Sequence, residues 1–351
     1  MANKSIFEII AGGNYAKFIA SREDKFQESV YKQYMPFDTP QLSLTYTSVL
    51  GDNVVATAAS VVSRDAETPL RARQALAVLQ GDIPALKVMR KLSETDYREY
   101  MALQGMNVAD SVKRDQVLSL IWNDSKYVVD SVDKRLDIFF AQGLSTGKIN
   151  VNIDTNPDGI VLPEIDLLQP AGNVDNSANK WDGASAKPLT DLLRVVATAE
   201  GKGVVFSKIL MSAKAFQNFA KSDEVKGAMV GVSFISNTTV NDFLSQNGLP
   251  TIEVVNFNTP IEKDGVRTSY NPWDVNAVVF IPEGNLGTIK HALAVEEIAP
   301  VTGIEYAVAN RTLVSKWSKN EPFGEWTKAE LNAFPSFDAM DRIYRLDTKM
   351  S

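Results

Sequence analysis

Between residues 108 and 144 the apolar residues fall along a single helical stripe. Leu118, Ile121, Val128, Val132, Leu136, Phe139 and Phe140 recur at three- and four-residue steps. Asp124, Lys126, Asp130, Asp133, Lys134 and Asp137 lie mostly off that stripe. With no proline or glycine breaking its interior, the segment predicts a helix of about 50 Å at 1.5 Å per residue. Gly143 and Gly147 are read as its stop. A helix that long is a spine, and the other segments must be read by how they relate to it.

Residues 1–50 mix short apolar clusters with polar residues and carry Pro36 and Pro40, which favour extended backbone. They read as a partly helical arm, too short to bury a core of its own and therefore draped over something else. Residues 54–62 are strand-like, 63–69 form a charged turn, and 70–79 return, followed by an extended 83–90. The pattern predicts a long protruding hairpin. On a lone molecule such a hairpin would leave strand edges unpaired, so its use is contact with a neighbouring chain. Arm and hairpin are both expected to bury their apolar sides on sister molecules. Ser93 and Asp96 are spaced as a variant capping box ahead of the helical region.

After the spine, residues 148–153 and 159–168 flank the turn formers Asn156, Pro157, Asp158 and Gly159, predicting a β-hairpin. The polar stretch 170–181 follows as a boundary. Residues 187–299 then alternate helix and strand. Helices are predicted at 189–199, 212–220 (capped by Ser212) and 239–247. Strands are predicted at 204–211, 249–256 and 277–282, with a hairpin turn at Asp264 and Gly265. This is a mixed α/β unit with both sheet faces covered. In the tail, residues 303–308, 312–317 and 342–347 have strand propensity and are expected to return to the hairpin after the spine.

Catalytic chemistry is sparse. Cysteine is absent, which removes disulfides, thiolate catalysis and cysteine-based zinc sites. The only histidine, His291, sits in an apparent strand without a nucleophile cue, and a structural or surface role fits it better than a triad. Residues 143–148 imitate a phosphate loop but are one residue short, and Ile149 replaces the hydroxyl that would hold magnesium. Asp154 to Asp158 match half a calcium loop, yet Ile165 stands where the bidentate acid belongs. Glu296 and Glu297 read as a solvated face. No cofactor or metal is expected. The net charge of −7 excludes the basic footprint of tight DNA binding, while leaving open a protein that encloses nucleic acid without gripping it. No apolar run reaches the length of a membrane span, and the first residues, with Lys4 and Glu8, give no secretion signal.

The order of parts resembles the lambda E-type family of tailed-phage major capsid proteins. The likeness is carried by residues 145–151 leading from spine into hairpin, Lys180 and Trp181 ahead of helix 188–199, and the strand-to-helix stretch 209–216. Residues 248–257, the Asp264–Gly265 turn, and 270–274 ahead of strand 278–282 continue it. The resemblance implies an α+β chain with the Hong Kong 97-type capsid fold. It would comprise an N-arm (1–50), an extended loop (51–90), a peripheral domain with the spine helix (91–170), an axial domain (171–299) and a return to the peripheral domain (300–351). It implies a non-enzymatic major capsid protein that self-assembles into hexamers and pentamers. These would form an icosahedral head shell around a double-stranded DNA genome, in a virion assembled in the host cytoplasm. Partners would be further copies of the chain, with portal, scaffold and decoration proteins, and no membrane. Arg64, Asp65, Glu67, Arg71 and Arg73 at the loop tip are the candidate inter-subunit contacts. The alternatives are an encapsulin-type compartment, which shares the fold, and an α/β enzyme using carboxylates alone.

Overall fold

The computed structural model describes residues 14–50, 77–96, 98, 110–230, 235–321 and 323–350. In chain order the elements begin with α1 (Tyr15–Ala20), β1 (Thr45–Leu50), β2 (Ala77–Asp82), β3 (Ala85–Ser93) and the spine α2 (Asp110–Thr146). Next come β4 (Lys148–Val151), β5 (Leu162–Asp166), β6 (Val174–Asn176), α3 (Pro188–Glu200) and β7 (Phe206–Ser212). The middle holds α4 (Ala213–Lys221), α5 (Asp223–Ala228), α6 (Asn237–Gln246), β8 (Thr251–Val255), β9 (Thr259–Lys263) and β10 (Val266–Tyr270). The chain closes with β11 (Ala277–Pro282), β12 (Thr288–Ala292), α7 (Val295–Ile298), β13 (Glu305–Ala309), β14 (Thr312–Asn320), β15 (Phe323–Ser336) and β16 (Tyr344–Asp347).

The spine has 37 residues, about 55 Å of helix, and its inward stripe is the expected one. Val128, Leu136 and Phe140 are fully buried. Its end differs from the sequence reading. Gly143 lies inside the helix, at a position where a Cβ would collide with the ring of Phe337. The stop is Gly147, whose φ of +73° needs no Cβ.

Two sheets flank this helix. In the first, β15 pairs antiparallel with β3, β14 and β12, and β13 extends it beyond β14. Asn332 is registered with both Ala85 and Ala292, so β3 and β12 lie on opposite edges of β15. In the second, the order is β6-β16-β11-β7-β8, with β6 and β8 parallel to their neighbours. The strands of this sheet alternate between two cores. Val278, Phe280, Ile209 and Met211 face a cluster with helices α3 to α6. Ala277, Val279, Ile281 and Leu210 face the cluster of the spine, with Phe140, Phe257 and Trp273. A period-2 strand buried on both faces thus joins the α/β unit to the spine without a gap.

Local signals behave as the sequence implied. Ser212 accepts from the amide of Ala215, and Ser236 caps α6 with Thr239 as its reciprocal partner. Asp264 and Gly265 take φ of 50° and 77° between β9 and β10, the positive-φ pair of a tight hairpin. Ser93 and Asp96 exchange hydrogen bonds as a capping box does.

Three expectations are corrected. Residues 344–347 are a strand, but it lies between β11 and β6 and not beside the hairpin β4–β5. β13 and β14 likewise pair in the first sheet and not with β4–β5, which pair only with each other among the described residues. The longest strand, β15, was not foreseen, because Glu325, Lys328 and Glu330 interrupt its apolar pattern. Those charges are paired instead: buried Lys316 with buried Glu325 at 3.0 Å, and buried Glu330 with the more exposed Lys87 and Lys328 at 2.9 Å each.

Candidate assembly surfaces

The arm is the first surface the sequence assigned to a neighbour, and over residues 15–41 its partners lie in its own chain, the spine first and β12 after it. The Tyr15 hydroxyl lies 2.8 Å from Ser125 Oγ. The Gln27 amide donates to Asp130 at 3.0 Å, and the Tyr31 amide donates to Asp137 at 3.0 Å. The Tyr31 hydroxyl donates to Asp133 at 2.9 Å, and Lys32 pairs with the same carboxylate at 2.6 Å. Phe26 packs on Trp122 and Tyr34 stacks on Phe140, with ring centroids 4.9 and 5.6 Å apart. From Phe26 to Tyr34 the arm's contacts advance along the spine from Trp122 to Phe140. The expectation that the leading arm buries its apolar side on sister molecules is therefore corrected for these residues. Tyr15, Ile19, Tyr31 and Met35 are already buried within the chain. The signal was present in Asp130, Asp133 and Asp137, which sit off the apolar stripe where the arm's amides, a tyrosine hydroxyl and a lysine reach them.

Burial sets the electrostatics of this seam. It raises the carboxyl of Asp133, against the pull of Lys32. Asp137 is pushed up to about 6, mainly by burial, although the amide of Tyr31 favours its charge. The arm then runs parallel to β12: Ile289 donates to Pro36 O at 2.9 Å, and Asp38 donates back to Ile289 O at 3.0 Å. Gln41 donates to His291 O at 2.9 Å. His291 is thus a core residue under the arm, with Phe37 edge-on at 5.8 Å and neither ring nitrogen hydrogen-bonded among the described residues. Burial, then Arg311, holds its pKa below the ordinary histidine value. It has no catalytic geometry.

The root of the protruding hairpin is the second surface. β1 and β2 pair antiparallel from Thr45 with Asp82 to Leu50 with Ala77. Tyr46 nails this ladder to the core: its ring is 2% exposed, stacks on Phe334 at 5.6 Å and covers Gly81. Both ends of residues 51–76 therefore leave from adjacent points. Arg64, Asp65, Glu67, Arg71 and Arg73 fall in that stretch, outside the described residues.

Exposed aliphatic side chains mark further surfaces. Ile153, Ile160 and Val161 crown the loop between β4 and β5, which the spine holds through Arg135 donating to Thr155 O at 2.9 Å. Val295, Ile298 and Val301 form another group at α7. The residues examined for chemistry are occupied structurally. Glu296 pairs with Lys328 at 2.7 Å, Glu297 accepts from the Ala294 amide at 3.0 Å, and Lys148 pairs with Glu164 at 2.6 Å. Among the described residues no group of three acids or histidines could hold a metal ion, and no helix is long and apolar enough to cross a membrane. What these surfaces can do is bury apolar area against another surface.

Comparison with known proteins points the same way. Residues 20–348 match the family model described as phage major capsid protein E. A solved structure described as a capsid protein of a prophage of E. coli CFT073 is similar at 15% identity. It covers 99% of each chain with a TM-score of 0.57. A phage-related protein from Bordetella bronchiseptica RB50 is similar at 10% identity, covering 95% of this chain and 96% of that one, with a TM-score of 0.53. These likenesses show the fold, the Hong Kong 97-type capsid fold. No curated protein matches the sequence at a significant level.

Proposed function

The chain belongs to the phage major capsid protein E family, and from that premise we propose how it builds a shell. It is a structural, shell-forming protein of the capsid and not an enzyme. Copies associate as hexamers and pentamers, whose heterologous contacts close into rings, and rings join into an icosahedral head. That head encloses double-stranded DNA without sequence-specific contacts, consistent with the chain's net charge of −7. Assembly takes place in the host cytoplasm with portal, scaffold and decoration proteins.

Within this reading, residues 1–50 are the arm and 51–90 the loop that overlaps an adjacent subunit, its end from Ala85 returning to the body as β3. Residues 91–170 with 300–351 are the peripheral domain and 171–299 the axial domain, except that β16 of the tail completes the axial sheet and β12 joins the peripheral one. Arg64, Asp65, Glu67, Arg71 and Arg73 supply polar contacts between subunits. The family match over residues 20–348 carries this reading ahead of an encapsulin-type compartment or a carboxylate enzyme. The test is the size of the purified full chain. Ring-shaped capsomers or closed cages in negative stain support it. A stable monomer or dimer at every concentration and salt tried overturns it.

A further inference from the structure

The second sheet ends in β8 on one side and β6 on the other. An edge strand offers its outward amides and carbonyls to any extended chain that meets it. On β8 that offer is withdrawn by a side chain. Asn241 of α6 accepts from the Ile252 amide at 2.7 Å and donates to the Ile252 carbonyl at 2.9 Å. Asn237, one turn back, accepts another hydrogen of the same Nδ2 at 3.2 Å, which fixes the way the group points. The side-chain amide thus makes the two bonds that a facing strand would make. Asparagine suits the task because it carries a donor and an acceptor together, whereas a carboxylate brings acceptors alone.

Backbone groups alternate sides along a strand, so those of Val254 point the same way as those of Ile252. Pro250, also on that side, has no amide to offer. Within β8 this leaves one outward pair, that of Val254, and a single pair does not hold a second strand in register. The far edge is closed alike. Ser177 donates to Asp347 O at 2.8 Å, so its neighbour Asn176 faces outward. The Asn176 carbonyl accepts from Arg194 of α3 at 3.0 Å, and its amide donates to the Asp175 carboxylate at 2.7 Å. We propose that Asn241 sets assembly specificity by closing the β8 edge to strands of other copies, so that subunits meet through side-chain surfaces and not by strand addition. The shell reading supplies the reason for such a guard, since copies crowded together during assembly would otherwise offer one another an open edge.

The test uses full chains assembled at equal concentration, with thioflavin fluorescence and sedimentable material outside particles as readings. Asn241→Ala is expected to raise both at least about fivefold over the unsubstituted chain, and Asn241→Asp by less. Val254→Pro added to Asn241→Ala removes the next outward amide and restores neither lost bond. It is expected to return both readings to within about twofold of the unsubstituted chain. Val254→Lys, which places a charge on the edge without fixing φ, serves where the proline variant does not fold. Val225→Ala, a truncation in the core under α5, is the control for lost stability alone and is expected to leave both readings near the unsubstituted level. Readings that stay flat in Asn241→Ala, that rise equally in Val225→Ala, or that neither change at Val254 lowers overturn the inference. An unsubstituted chain that forms no particle overturns the shell reading instead and leaves the comparison of readings intact.

Discussion

Lys316 on β14 and Glu325 on β15 meet at 3.0 Å with each side chain only 4% exposed. They sit on the buried side of a sheet, where a lone charge would be far costlier than in water. Replacing one partner leaves the other unpaired, so Lys316→Met destabilises the chain by about 3–5 kcal/mol. The double substitution with Glu325→Leu recovers most of that loss. Urea unfolding of the unassembled chain measures both, and equal losses in the single and double variants would refute the account.

Asp137 gives the arm a dependence on pH. Its carboxyl is pushed up to about 6 in the folded chain, above the ordinary 3.8. The folded state therefore disfavours the charge. This group's penalty is complete above about pH 6 and is relieved as pH falls through 6 toward 4. Asp137→Asn keeps an oxygen for the Tyr31 amide, so it is expected to be neutral or stabilising at pH 7.5. It should also flatten the pH dependence of the melting temperature between about 4 and 6. A large loss of stability at pH 7.5 with an unchanged slope would rule this out.

Tyr46 separates packing from hydrogen bonding. Its ring is buried on Phe334, while its hydroxyl is buried without a hydrogen-bond partner among the described residues. Tyr46→Phe is predicted to stabilise by up to about 1 kcal/mol, by removing an unsatisfied polar group. Tyr46→Ala should cost about 3–5 kcal/mol and loosen the root of the projecting loop. Thermal melts rank the three proteins, and amide hydrogen exchange over residues 45–50 and 77–82 reports the root.

Gly143 should tolerate no side chain. A Cβ there meets the Phe337 ring, so Gly143→Ala costs about 1–3 kcal/mol despite alanine's better helix propensity. Adding Phe337→Leu makes room and restores part of the loss. If Gly143→Ala alone raises stability, the close approach of β15's following loop to the spine is not rigid.

Much of the architecture could be read from local pattern. The spine shows because its apolar period is sustained from Leu118 to Phe140, about six turns, and β11 because residues 277–281 are uninterruptedly apolar. The tight turn at Asp264 and Gly265 shows because few residues accept positive φ. The candidate contacts at Arg64 to Arg73 were chosen from charge alone and fall outside the described residues. The α7 patch was hidden because Glu296 and Glu297 look solvent-facing in sequence, and only their partners show that they turn inward.

The sequence by itself determined the elements whose identity depends on neighbours within a few residues: helix period, caps, turns and the strand run of β11. Tertiary structure decided which distant segments meet. It sent the arm onto Asp130, Asp133 and Asp137, placed β16 between β11 and β6, and made a buried strand of the charged run at 325–330. The physical reason is that periodicity encodes which face is apolar, whereas a buried charge is tolerable only beside its counter-charge, and Lys87 and Lys316 reach theirs from other strands.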